Sequence, residues 1–112
     1  MNDLIKRNKT IKLYKKEDGE EENEIGENIL TNTLLYTIIG YLDYINGEVG
    51  KTNYIAPINE STHIFIADYQ EITETTDNLT AKIDGKEYEV KYIDDPMELH
   101  EQLEIYLKLL GG

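Results

Sequence analysis

The chain has 112 residues, 39% of them hydrophobic, and a net charge of −12 at pH 7. That is enough for one modest core over residues 1–112 and too little chain for two ordinary domains. It contains no cysteine, which excludes disulfides and thiolate metal sites, and its acidity argues against a protein that grips nucleic-acid phosphates with clustered Lys and Arg.

The charge is uneven. Six of the eleven basic residues (Lys6, Arg7, Lys9, Lys12, Lys15, Lys16) fall in the first sixteen positions, and from residue 17 onward 22 acids face 5 bases. Such a surface suits a soluble acidic body, a basic protein partner, or a face that repels DNA. The N-terminal residues hold no apolar run of signal-peptide length, and no segment approaches the ~20 apolar residues of a membrane helix, so no membrane contact is expected.

In chain order, "TIKLYK" (residues 10–15) alternates, with Ile11 and Leu13 on one face and Lys12 and Tyr14 on the other, and predicts a half-exposed strand. Seven acids then fall between Glu17 and Glu27, with Gly19 and Gly26 among them. A block of like charge repels itself, and this one is expected to be a mobile loop over about 17–28. It matches an EF-hand calcium loop poorly, lacking the alternating ligands around a fixed glycine. Leu34–Tyr41, rich in Thr, Ile, Leu and Tyr, predicts a second strand, with a bulge or kink expected at Gly40. Asn46-Gly47 and Gly50 mark an open loop.

His63, Phe65 and Ala67 alternate with Ile64 and Ile66, apolar on both faces, as in a central strand. Residues 70–78 read as a polar connection. Leu79, Ala81 and Ile83 then alternate with Thr80 and Lys82, and Tyr88, Val90 and Tyr92 alternate with Glu87, Glu89 and Lys91. Asp84-Gly85 between them is the pair favoured in a type I′ hairpin turn, where both central residues need φ > 0. Pro96 breaks the pattern. The segment 99–110 fits two periods. Leu99, Leu103, Tyr106 and Leu110 share a helical face, whereas Leu103, Ile105, Leu107 and Leu109 alternate strictly; a strand is favoured, a helix the alternative. The sum is a mainly β chain: a small antiparallel β-barrel or sandwich of five to six short strands with long loops.

The chain offers little for chemistry. Ser61, His63 and Asp68 are the residue types of a hydrolytic triad, yet triads are assembled from separated segments, and no glycine-flanked elbow surrounds Ser61. Ser61 and Thr62 are expected to bond backbone at a strand start, with His63 paired within the sheet. His63 and His100 with Asp94 or Asp95 would be the only zinc candidates, and two histidines in so acidic a chain are near background. No phosphate-binding glycine loop is present. Nine tyrosines are potential base-stacking platforms, but without the basic groove that accompanies them they fit strand faces better. No catalytic, cofactor-binding or metal-binding residue is therefore expected.

Three segments, "GYLDYINGE" (Gly40–Glu48), "ESTHIFIADYQEI" (Glu60–Ile72) and "IDGKEYEVKYIDDPMELHEQLEIYLKLL" (Ile83–Leu110), resemble in this order the head-closure, or head-tail joining, proteins of siphophages that infect Gram-positive bacteria. The resemblance spans about residues 36–110 and leaves the first 30 residues almost unsupported. It implies a small β-barrel that forms a ring in the virion neck, made in the host cytoplasm. As a stopper and connector, that ring would retain packaged DNA and give the tail a docking surface. Its partners would be the portal-adaptor protein on one side and the tail terminator or other tail proteins on the other, with double-stranded DNA passing through unbound. It also implies that about Asp43–Glu60 is the channel-facing loop. The expected interface residues are Glu20, Glu21 and Glu22 in the acidic block and Asn46, Gly47, Glu48, Gly50, Lys51 and Asn53 in that loop, both being exposed and adaptable. The alternatives are a tail-side module, such as a tail terminator or minor capsid protein, and an acidic DNA mimic. The mimic is disfavoured because the carboxylates are spread over loops and alternating strand positions.

Overall fold

The computed structural model describes residues 9–22, 28–45 and 55–110, with side chains described at 9–16, 32–45 and 55–110. Six strands lie within these residues: β1 (Lys9–Glu22), β2 (Asn28–Tyr44), β3 (His63–Asp68), β4 (Leu79–Ile83), β5 (Lys86–Asp94) and β6 (Gln102–Leu109). One helical turn, α1 (Ala56–Asn59), precedes β3. The strands close into a barrel in the order β1-β2-β3-β6-β5-β4, every neighbouring pair antiparallel. The fold is therefore mainly β, a closed six-stranded antiparallel barrel. Closure gives each strand a partner on both sides and removes the sticky edges of an open sheet.

Alternation fills the barrel. Ile11 and Leu13 of β1, Phe65 and Ala67 of β3, Leu79, Ala81 and Ile83 of β4, and Leu103, Ile105 and Leu107 of β6 all face the core. Phe65 is the largest side chain sealed from solvent. β6 shows the strict alternation of a strand, and Leu99, which would have completed a helical face, is 56% exposed. Asp84 (φ 51°) and Gly85 (φ 78°) form the turn between β4 and β5 that their sequence demands. A Cβ at Gly85 would meet nothing within 4 Å, so Gly85→Ala carries only the backbone cost of the left-handed region. That cost is about 1 kcal/mol, to be read as a lowered urea midpoint with an unchanged m-value.

Three expectations are corrected. First, the backbone of Glu17–Glu22 is strand rather than loop. Its register sets Glu17 against Thr31, Asp18 against Leu30 and Glu22 against Asn28. An uncharged strand lies across from the acidic one, so pairing adds no cross-strand like charge. Residues 23–27 lie outside the described residues. Second, Gly40 is not a bulge. The extra residue in β2 is Leu35, between the pairs Leu13↔Tyr36 and Tyr14↔Leu34, whereas Gly40 is paired in register on both sides, with Lys9 and with Ala67. Third, Tyr92 does not share the face of Tyr88 and Val90. A bulge at Lys91 separates the pairs Val90↔Leu107 and Tyr92↔Tyr106. One extra residue flips everything after it, so Ile93 pairs with core Ile105 and Tyr92 faces outward with Tyr106.

β1 and β2 outrun the barrel. β4 leaves β1 at Lys15, and β3 meets β2 only over Gly40–Tyr44. Beyond these limits Lys16–Glu22 and Asn28–Asn32 continue as a two-stranded arm, and the molecule extends 51 Å in one direction against 29 and 25 Å in the others.

Candidate functional site

The stretch around Ser61 is the first place to look for chemistry, and its geometry is structural. Pro57 near the start of α1 fits the first turn of a helix, where its missing N–H costs nothing. The turn brings the Pro57 carbonyl to accept the Ser61 hydroxyl at 2.8 Å. The Thr62 hydroxyl accepts the Leu109 N–H at 2.9 Å and lies 2.8 Å from His63 Nδ1, tying β3 to β6. These are the strand-start backbone bonds expected of Ser61 and Thr62. Asp68 ends β3, five residues from His63, which at ~3.3 Å per residue is roughly 16 Å away. The three triad residue types are not brought together.

His63 is 94% buried by area (6% exposed) and lies between two tyrosines, with ring centroids 4.6 Å from Tyr44 and 5.3 Å from Tyr88. It lines a cleft of about 290 Å³ at the barrel end, with Leu42, Ile83 and Leu109 as apolar walls and Lys86 and the Lys9–Asp84 ion pair at the rim. Burial, and secondarily the charge of Lys86, hold the imidazole below its ordinary value of 6.5. The unfolded chain therefore takes up the proton first as pH falls through 6.5, and the folded state loses stability from there down to the lowered native value. Urea midpoints measured across this window should fall with pH in the wild type and hold level in His63→Gln; an equal fall in both would assign the slope to other groups.

His100 lies at the opposite end of the barrel. Asp95 holds it there, Oδ1 accepting its backbone N–H at 2.9 Å and Oδ2 meeting Nδ1 at 2.5 Å, and the Tyr69 ring meets it tilted by 40°, with centroids 4.6 Å apart. Met97, Glu98 and His100 all have φ of 56°, the left-handed region that side chains rarely adopt, and Asp95 is the brace for that turn. With His63 at one end and His100 at the other, the zinc arrangement considered from the sequence is not assembled. Among the described residues no group of three metal-ligating side chains occurs. Among the described residues no helix is long and apolar enough to cross a membrane.

The arm and the elements that flank the second expected interface region stand at opposite ends of the barrel. Glu20, Glu21 and Glu22 are backbone positions on the arm, which leaves the barrel at the end holding residues 69–78 and 95–100. The expected channel-facing loop, Asp43–Glu60, is shorter than its sequence suggested. Asp43 and Tyr44 finish β2, and Ala56–Asn59 form α1 with Ile58 buried. Lys91 bonds Glu60 at 2.8 Å and pins the end of that turn to β5. Asn46, Gly47, Glu48, Gly50, Lys51 and Asn53 lie outside the described residues. Their flanks, Ile45 and Ile55, stand at the cleft end, where Ile45 N–H donates to Thr62 O.

The barrel wall carries features that the sequence did not reveal. On the β1–β4 wall, Lys12 lies beside Lys82 in register and Lys82 sits 5.5 Å over the Tyr14 ring. On the β3–β6–β5 wall, Ile64 neighbours Tyr106, which neighbours Tyr92, and Ile66 neighbours Glu104, which neighbours Asp94. Burial and the Glu104 and Asp94 carboxylates push the Tyr106 hydroxyl up to about 12, keeping it a neutral donor to Glu104 at 3.2 Å. The register brings these groups together, across β1–β4 and β3–β6 pairings distant in sequence and across the neighbouring strands β5 and β6, whose phase the Lys91 bulge resets.

No protein-family model matches the chain, and no curated protein matches it.

Proposed function

We propose that this chain is a non-enzymatic neck component of a tailed-phage virion, joining the portal-adaptor side of the head to the tail and helping to retain packaged DNA. The observation that supports this most directly is that the arm and the elements flanking residues 46–54 stand at opposite ends of the closed barrel. A connector must meet one neighbour on each side. Here the arm carrying Glu20–Glu22 leaves one end, and the strand and turn that bracket residues 46–54 stand at the other. The resembling segments also fall on the barrel itself: the end of β2, all of β3, and the β4–β5 turn through β6.

In this role the protein is a homo-oligomeric ring in the virion, its partners are portal-adaptor and tail proteins, and DNA passes without being held. The −12 charge suits that passage, because carboxylates do not retain phosphates. The test is a phage in which this gene is deleted. Heads that package DNA and then lose it are the expected result. Full, stable heads that lack only tails would move the role to the tail side, and normal virions would overturn the proposal.

A further inference from the structure

The barrel order places β1 three steps from β6 and β4 three steps from β3, so the β1–β4 and β3–β6 walls face in opposite directions. The two walls differ in charge. Lys12 and Lys82 stand side by side on the β1–β4 wall, both exposed, with Lys16 just beyond it at the start of the arm; Glu87 neighbours Lys82 across β4–β5, but among the described residues none of the three lysines is ion-paired to a carboxylate. That is unusual where acids outnumber bases 23 to 11. The other wall, with β5 beside it, shows half-buried Ile64, Ile66, Tyr92 and Tyr106 next to Asp94 and Glu104, and neither carboxylate meets a cation among the described residues.

We infer that copies of this chain associate head-to-tail, the Lys12–Lys82 wall of one copy seated on the Tyr92–Tyr106–Glu104–Asp94 wall of the next. A second copy is the occupant that carries both complements: the lysines that the carboxylates lack, and Tyr14 with the aliphatic lysine stems to cover the apolar patch. Two copies joined by like walls would set lysine against lysine or carboxylate against carboxylate, which disfavours a two-fold dimer. A contact between different walls is heterologous, and it closes into a ring or runs on as a chain according to the rotation it imposes. The inference deepens the ring of the proposed function and rests on that reading for closure. The pairing of walls is read in the purified protein, so its failure leaves the DNA-retention test standing.

Three strands ~4.8 Å apart and some 20 Å long make a wall of about 300 Å², the size of a weak contact. Association is therefore sought at high protein concentration. The experiment is sedimentation of the full chain up to ~1 mM, a concentration that fits a contact of this size, at low ionic strength and again in ~1 M salt, where screening sets in within about 3 Å. Oligomers at low salt that dissociate at high salt are expected. Lys12→Glu/Lys82→Glu and Asp94→Lys/Glu104→Lys should each weaken self-association at least tenfold when alone. Mixing the two variants should restore it, because each then offers the other a complementary wall. Restoration also shows that both variants are folded. A wild type that stays monomeric throughout overturns the inference, as does association indifferent to salt, association kept by either variant alone, or a mixture that fails to recover while both variants keep the wild-type circular dichroism.

Discussion

Phe65→Ala should cost about 4 kcal/mol of folding stability, the largest loss expected from a single truncation in this chain. Phe65 is fully sealed and stands between Leu42 of β2 and Ile105 of β6 in register, where the barrel wall closes on the core. Truncation removes the transfer free energy of the ring and leaves a cavity that a closed barrel cannot collapse to fill, since every strand is held on both sides. A domain of this size is stable by only ~5–15 kcal/mol, so the variant should be partly unfolded at modest urea. Phe65→Leu, which keeps most of the volume, should cost roughly 1 kcal/mol. Equal losses for the two would mean that a volume-independent effect dominates. A loss under about 1 kcal/mol for Ala would place Phe65 outside the core.

Much of this core is legible in the sequence because its signal is local. The alternation in "TIKLYK", "LTAKI" and "LEIYLKL" names the inward residues directly, and Asp84-Gly85 names its turn. What misleads is also physical. The Lys91 bulge breaks a period-2 pattern that looks continuous through Tyr92, and the sequence carries no mark of the extra residue. The acidic run from Glu17 reads as self-repelling when taken alone. Its strand state depends on Asn28–Asn32, an uncharged partner across a hairpin, and a window along the chain does not weigh the two together. The helical alternative for 99–110 arose because Leu99 happens to fall in phase, while the Asp95–His100 brace turns it out of the barrel.

The candidate site divides in the same way. That Ser61 and Thr62 bond backbone at a strand start is expected from their position, and the bonds to Pro57 and Leu109 match it. The clustering of Lys12 with Lys82 depends on register between strands far apart in sequence, and that of Tyr92 with Tyr106 on the bulge at Lys91. Composition shows that lysines are scarce, but only the closed barrel shows that Lys12 and Lys82, not ion-paired among the described residues, stand side by side on one wall.

Gly40→Ala should cost about 3 kcal/mol, although it adds a single methyl group and alanine suits strands better than glycine. Gly40 has no positive φ to explain its identity; its constraint is space. It is the residue at which β2 is shared, pairing with Lys9 of β1 on one side and Ala67 of β3 on the other. A Cβ there would lie 2.7 Å from Cε2 of Phe65 and closer still to the Ile66 carbonyl oxygen. The ring can tilt, but the carbonyl belongs to β3 backbone, and β3 has only five register pairs with β2 to lose. Relieving the clash therefore means opening the β2–β3 seam, the closure that makes this sheet a barrel. A double-mutant cycle separates the two contacts. Phe65→Leu removes the ring and should return part of the Gly40→Ala loss, while the remainder reports the carbonyl. Full recovery in the double variant would mean that the ring alone excludes a side chain at this position. No recovery would mean that the backbone alone does.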